Sequence, residues 1–132
     1  MLFRGKRLDN GEWVEGDYFR KYIYDRYDNG YLHHLIGWQV TDNDGEKFND
    51  YEDVDPDTVG QYTGLKDRYG DRIWEGDLVE HGDEVSEVFF DTENSCFDFK
   101  SSNDPFAAQF SCDYEILGNI HDNPEFLEGG AK

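Results

Sequence analysis

Along this chain hydrophobic and polar residues alternate in short runs, broken by turn residues at intervals of about 8–12 positions, the rhythm of an all-β domain. Asp9-Asn10-Gly11 separates runs at 3–8 and 12–19, and Asp28-Asn29-Gly30 separates aromatic-rich runs at 22–27 and 31–40. Asn43-Asp44-Gly45 is a third turn signal. Asp67-Arg68-Tyr69-Gly70 is a fourth, with Asp and Gly where a type I turn favours them. Gly82-Asp83 and Glu93-Asn94-Ser95 divide later strands expected at 77–80, 85–91, 96–100 and 114–120. In 96–100 the period is two, with Phe97 and Phe99 on one face. Residues 101–111 read as a loop. One short helix is expected after Asp122, with Asn123 as N-cap, Pro124 in the first helical position and Gly129 as the stop. So short a helix does not stand alone, so Phe126 and Leu127 are expected to dock on the domain or on a partner.

Composition agrees with a folded core. Aromatic residues make up 17% of 132 residues and are spread along the whole chain, which outweighs the 33% of charged residues. A weak internal echo links Trp13-Val14-Glu15-Gly16-Asp17 with Trp74-Glu75-Gly76-Asp77, a pattern suited to a glycine corner before a strand.

Charge sets the partner classes. The net charge is −19, and it is uneven: residues 1–40 hold six Lys/Arg and six Asp/Glu, residues 41–132 six against twenty-five. Such a surface repels nucleic acid, which needs cations to displace its counterions. It suits basic partners, or imitation of a nucleic acid, as well as plain solubility. No CxxC is present, so Cys96 and Cys112 read as buried thiols of a reducing compartment. With no apolar leader segment and no long apolar run, the expectation is a cytoplasmic protein that does not enter a membrane.

Candidate chemistry is sparse. Asp53, Asp55 and Asp57 alternate like the start of a calcium loop, but Thr58 and Gly64 stand where that loop needs Gly and Glu. His33, His34, His81 and His121 lack metal-ligand spacing, and His33 and His34 face opposite ways on a strand. No metal or cofactor is therefore expected. Glu75 and Asp77 flank Gly76 beside Trp74, whose ring would make a dry wall that raises a carboxylate pKa; they are the catalytic candidates. Tyr62, Tyr69 and Trp74 among Lys66, Arg68 and Arg72 form the one aromatic–cation cluster beyond residue 40, a stacking platform for single strands were Asp67, Asp71, Glu75 and Asp77 not interleaved with it.

GQYTGLKDRYGDRIWEGDLVE (60–80) resembles the hallmark of the YopX family, small proteins encoded by phages and prophages. FRGKRLDNGEWVEGDYF (3–19), VDPDTV (54–59) and YEILGNIHDNPEFLE (114–128) are similar to its opening, its lead-in and its close, so the resemblance spans nearly the whole chain. It implies a mainly β fold with a small SH3-like barrel in the C-terminal half. The expected organisation is an N-terminal β meander or hairpin region (1–52), the SH3-type barrel with a short C-terminal helical turn (53–129) and a frayed tail (130–132), together one compact unit. The family brings no activity, catalytic residue or cofactor. Its signature here is Gln61, Tyr62, Thr63, Gly64, Leu65, Asp67, Gly70, Trp74, Glu75, Gly76 and Asp77, with Gly118 and Asn119 near the close, and each has a structural use in turns or core. Gln61, Arg68 and Arg72 exceed that use and are the expected partner surface.

The resulting expectation is a non-enzymatic interaction module, homo-oligomeric, with a host or phage protein as partner and no direct nucleic-acid contact. Two alternatives are an acidic nucleic-acid mimic that occupies a DNA-binding protein and an enzyme using Glu75 and Asp77.

Overall fold

The computed structural model describes residues 1–100 and 107–130. Most of them lie in antiparallel strands, and the chain divides into two compact units, Met1–Gln61 and Tyr62–Lys132. The division falls within a strand, after the 52/53 boundary drawn from the sequence.

The first unit is a meander. β1 (Phe3–Lys6) pairs with the start of β2 (Trp13–Tyr24), β2 continues along β3 (Gly30–Thr41), and β3 pairs with β4 (Lys47–Asp53). The first residues of β5 (Gly60–Lys66) return to β1, with Phe3 opposite Gln61 and Arg4 opposite Gly60. Val54, Leu35 and Ile36 are fully buried. The runs at 12–19 and 22–27 prove to belong to one strand, β2, because Arg20 and Lys21 are ordinary ladder residues opposite His34 and His33. A 3₁₀ turn at Pro56–Thr58 leads into β5, with the Asp55 carboxylate accepting from Asp57 N.

In the second unit, the rest of β5 pairs with β6 (Arg72–Trp74). A four-stranded antiparallel sheet follows in the order β10-β7-β8-β9: β7 (Asp77–His81), β8 (Glu84–Asp91), β9 (Cys96–Phe99) and β10 (Glu115–Asn119). Its core gathers Ile73, Val79, Val88, Phe99, Ala107, Ala108 and Tyr114. α1 (Glu125–Gly130) packs against β8.

Several sequence expectations change. Among the described residues the strands form open sheets, and no closed SH3-like barrel exists: β10 and β9 end the four-stranded sheet. The loop expected at 101–111 is a 3₁₀ segment from Ala107 to Asp113, and its part before Ala107 lies outside the described residues. That segment buries Ala107, Ala108 and Ser111 and leaves Cys112 exposed, while Cys96 is half-buried, so neither is a buried thiol; both are free. The helix runs through Gly129 to Gly130, so Gly129 does not stop it. The Asn123 side chain accepts from Asn119 N rather than capping the helix. The frayed tail falls, beyond Gly130, outside the described residues. Gly16 and Gly76 are not equivalent corners. Gly76 has a φ of +91°, whereas Gly16 lies inside β2, where a Cβ would meet the Gly37 carbonyl oxygen at 2.1 Å.

Three hairpin loops share one device. Asp25, Asp42 and Asp67 each accept, through Oδ1, from the N–H groups two and four residues ahead, at 2.8–3.0 Å. In each loop the fourth residue donates back to the Asp carbonyl and has positive φ: Asp28 at 61°, Gly45 at 82° and Gly70 at 83°. The carboxylate thus replaces backbone partners that the turn cannot supply.

Candidate functional site

The hallmark residues surround the β5–β6–β7 chain path. Thr63 Oγ1 donates to Ile73 O at 2.7 Å and accepts from Leu65 N, inside a register shift between Tyr62 and Lys66. Gly64 there has a φ of +84°. Leu65 packs on the core. Asp67 is 5% exposed and, beyond its turn bonds, accepts from Ile116 N through Oδ2 at 3.3 Å. Tyr62 lies opposite Trp74, ring centroids 5.5 Å apart, with the Arg72 guanidinium 5.5 Å from the Tyr62 ring.

Asp77 is 2% exposed, and its Oδ2 accepts from Trp74 N at 2.7 Å. Gly76 N donates to Val88 O and Gly76 O accepts from Ile120 N. Asn119 Oδ1 accepts from His121 N and Asp122 N. A Cβ on Gly118 would lie 2.2 Å from Asn123 Oδ1. Glu75 is half-buried. The two catalytic candidates therefore differ: Asp77 is sealed inside a turn, and Glu75 is a neighbour on the same corner.

The expected partner residues fall in both units. Gln61 is half-buried in the first unit opposite Phe3, while Arg68 and Arg72 are exposed in the second. Arg68 donates to Asp113 O at 2.8 Å. The stacking platform also dissolves, because Trp74 is buried, Tyr62 half-buried and Tyr69 exposed. No group of three or more His, Cys, Asp or Glu residues able to hold a metal occurs among the described residues. None of the described helices is long and apolar enough to cross a membrane.

Sequence reasoning missed the features of the first unit. The β2–β3 ladder outruns both neighbours: β1 pairs with β2 only as far as Gly16, and β4 with β3 only from Leu35 onward. Residues 20–24 and 30–34 form a two-stranded ribbon carrying Arg20, Lys21 and Arg26 with Tyr22, Tyr24, Tyr27 and Tyr31, all four tyrosines 58–69% exposed. Tyr22 and Tyr24 stack at 6.2 Å.

At the ribbon's base the opposed histidines make separate bonds. His33 Nδ1 donates to Asp53 Oδ1 at 2.5 Å, under Tyr31 stacked at 4.1 Å. His34 Nδ1 bonds Tyr18 Oη at 2.6 Å on the other face. A groove of about 360 Å³ touches both histidines, with Asp9 and Glu52 on its wall and no Ser, Thr or Cys among the described residues of its lining. Beside the groove Arg7 grips Asp9 through Nε and Nη2 at 3.0 and 2.8 Å. This bond holds the Arg7 proton more tightly than usual and keeps the Asp9 carboxyl below the ordinary carboxylate range.

A second cavity, of about 520 Å³, lies in the second unit, and the described residues of its lining, Thr63, Leu65, Phe90, Cys96, Phe97 and Gln109 among them, include no charged side chain.

The architecture is that of a mainly β protein of two antiparallel units, with a turn-rich signature corner in the second and an aromatic ribbon in the first. The profile of the family described as YopX protein matches residues 2–128. The chain belongs to the YopX family. A crystal structure of protein EF1440 from Enterococcus faecalis is similar in fold, with a TM-score of 0.54 and 22% identity over 96% of this chain and 98% of that one. No curated protein matches the chain.

Proposed function

We propose that this protein is a non-enzymatic interaction module, phage- or prophage-encoded, that works in the cytoplasm of a bacterial host by docking a protein partner. The observation that carries the reading is the ribbon: three exposed tyrosines on its two strands and a fourth, Tyr27, in the turn between them, with the outer edges at 20–24 and 30–33 paired with no other strand among the described residues. Tyrosine supplies large contact area at low entropic cost and is enriched at interfaces. An unpaired strand edge adds main-chain donors and acceptors for a docked segment. The signature residues support the same reading, since Asp67 and Asp77 spend their oxygens on backbone N–H groups. A second copy of the chain is one such partner.

The test compares wild type with a Tyr22→Ser/Tyr24→Ser variant in quantitative pull-down from host lysate after nuclease, alongside light scattering of the purified proteins. The expected result is a stoichiometric partner, or a defined oligomer, that the variant loses while keeping its urea midpoint. Equal capture and equal mass for both proteins would refute the reading.

A further inference from the structure

A cavity of about 490 Å³ lies over the middle of β3, within the volume range of ligand pockets. The register explains its lining. Asp17, Gly37 and Tyr51 form one row across β2, β3 and β4. Phe19 follows Asp17 by two residues, and the Gln39–Asn49 pair follows Gly37–Tyr51 by two, so all share one face. Gly37 is the floor: a Cβ there would lie 3.0 Å from Phe19 Cε1 and 3.2 Å from the Asp50 carbonyl oxygen. The Phe19 and Tyr51 rings are adjoining walls, centroids 6.3 Å apart at an interplanar angle of 75°.

The polar side chains on this face are the Asp17 carboxylate, the Gln39 and Asn49 amides and the Tyr51 hydroxyl; Trp38 and Asp50, paired between those rows, belong to the opposite face, and no Lys, Arg or His is among the described residues of the lining. The Asp17 carboxylate is 85% exposed, with the terminal ammonium of Met1 4.0 Å from Oδ1, a solvent-screened pair that leaves the carboxylate accessible. An anion meets Asp17 and a protein of net charge −19. A purely apolar ligand strips water from Asp17, Gln39 and Asn49 without replacing it. An organic cation satisfies both halves, ring faces on one side and oxygen acceptors on the other.

We propose that this pocket binds a guanidinium or alkylammonium group, delivered by an Arg or Lys side chain of the protein partner. The proposal rests on the reading of the first unit as a docking surface and names the chemistry that the partner brings. The same cation chemistry also exists in free small molecules, so the test separates the two sources.

Nα-acetyl-arginine amide, tetramethylammonium and neutral Nα-acetyl-citrulline amide are titrated into the full chain by calorimetry, with amide shifts of Gly37 and Tyr51 followed by NMR. A peptide with a central Arg forms the protein-like arm. Both cations are expected to bind and citrulline not. Tyr51→Leu weakens binding about fivefold, the size of one exposed cation–π contact. Asp17→Asn weakens it, and more so at low salt. Gly37→Ala fills the floor and abolishes binding; because that variant risks misfolding, the exposed Tyr51 position decides the outcome. Tighter binding of the peptide than of the free amide identifies a side chain in a protein as the ligand, and tetramethylammonium binding more tightly than either overturns that source. Absence of cation binding, equal binding of citrulline, or indifference to Tyr51→Leu overturns the pocket. A pull-down partner that survives while cations fail leaves docking intact and removes only the pocket. Cation binding without any partner does the reverse.

Discussion

The three Asp-anchored hairpins allow one turn device to be measured inside and outside a protein interior. Asp42 is exposed and its Oδ1 accepts from Asp44 N and Glu46 N, both at 2.9 Å. Asp67 makes the same two bonds to Tyr69 N and Asp71 N, but is buried and adds Ile116 N through Oδ2. In Asp42→Ala the freed N–H groups rehydrate, so the loss is that of an exposed cap, about 0.5–1 kcal/mol. In Asp67→Ala the turn donors cost the same, and Ile116 N is left unsatisfied in a half-buried strand at about 1–3 kcal/mol more. The expected total is about 1.5–4 kcal/mol. Asn sharpens the contrast. At Asp42 its carbonyl oxygen replaces Oδ1 almost fully. At Asp67 its amide NH₂ must face Ile116 N donor to donor, so Asp67→Asn should lose nearly as much as Asp67→Ala. Urea unfolding followed by tryptophan fluorescence and by amide exchange reads each variant in its own unit. Equal losses at the two positions, or a neutral Asp67→Asn, would refute the idea that burial and the third acceptor bond decide the energy.

Three further outcomes are expected. Asp28 holds the positive-φ position that Gly45 and Gly70 hold elsewhere; Asp28→Gly relieves a left-handed strain of about 1 kcal/mol, less the entropy glycine adds to the unfolded chain, and thermal melting should rise slightly rather than fall. Ser86 Oγ is fully buried without a hydrogen-bond partner among the described residues, so Ser86→Ala should gain about 1 kcal/mol in urea denaturation, and a loss would point to an unseen acceptor. Hydrogen bonding from the Asn94 side chain holds the Asp91 carboxyl below the ordinary carboxylate range. A depressed folded pKa stabilises the β8–β9 turn above the ordinary carboxylate pKa, and the contribution disappears as pH falls through the folded value. Asn94→Ala should move the Asp91 titration upward in carboxyl NMR, so that protection of the turn is lost at higher pH than in wild type.

Turns were the most legible part of the chain, because Asp and Gly at fixed offsets carry their own mechanism: 43–45 and 67–70 fold as their residues indicate. Asp28-Asn29-Gly30 misled, since the positive φ falls on Asp28, while Gly30 sits in the ladder and leaves room for the Tyr24 ring, which a Cβ would meet at 2.5 Å. β4 was invisible because Phe48 and Tyr51 are three apart and fit no alternation. The open sheets of the second unit were hidden by the family likeness, which implied a barrel. The His33–Asp53 bond and the floor at Gly37 depend on the register between β3 and β4, and no local pattern states a register.

The return of Gly60 and Gln61 to Arg4 and Phe3 also has a temporal side. Every strand pair of the first unit except this one joins neighbours in sequence, so its hairpins can close within microseconds of leaving the ribosome, which adds only about 5–20 residues each second. The ladder that completes the unit waits for its final two residues. During synthesis the meander therefore stands assembled, with Lys6 already bonded to Asp55 and Thr58 but Phe3 and Arg4 still unpaired on that side, where a second nascent chain in the same polysome would invade it.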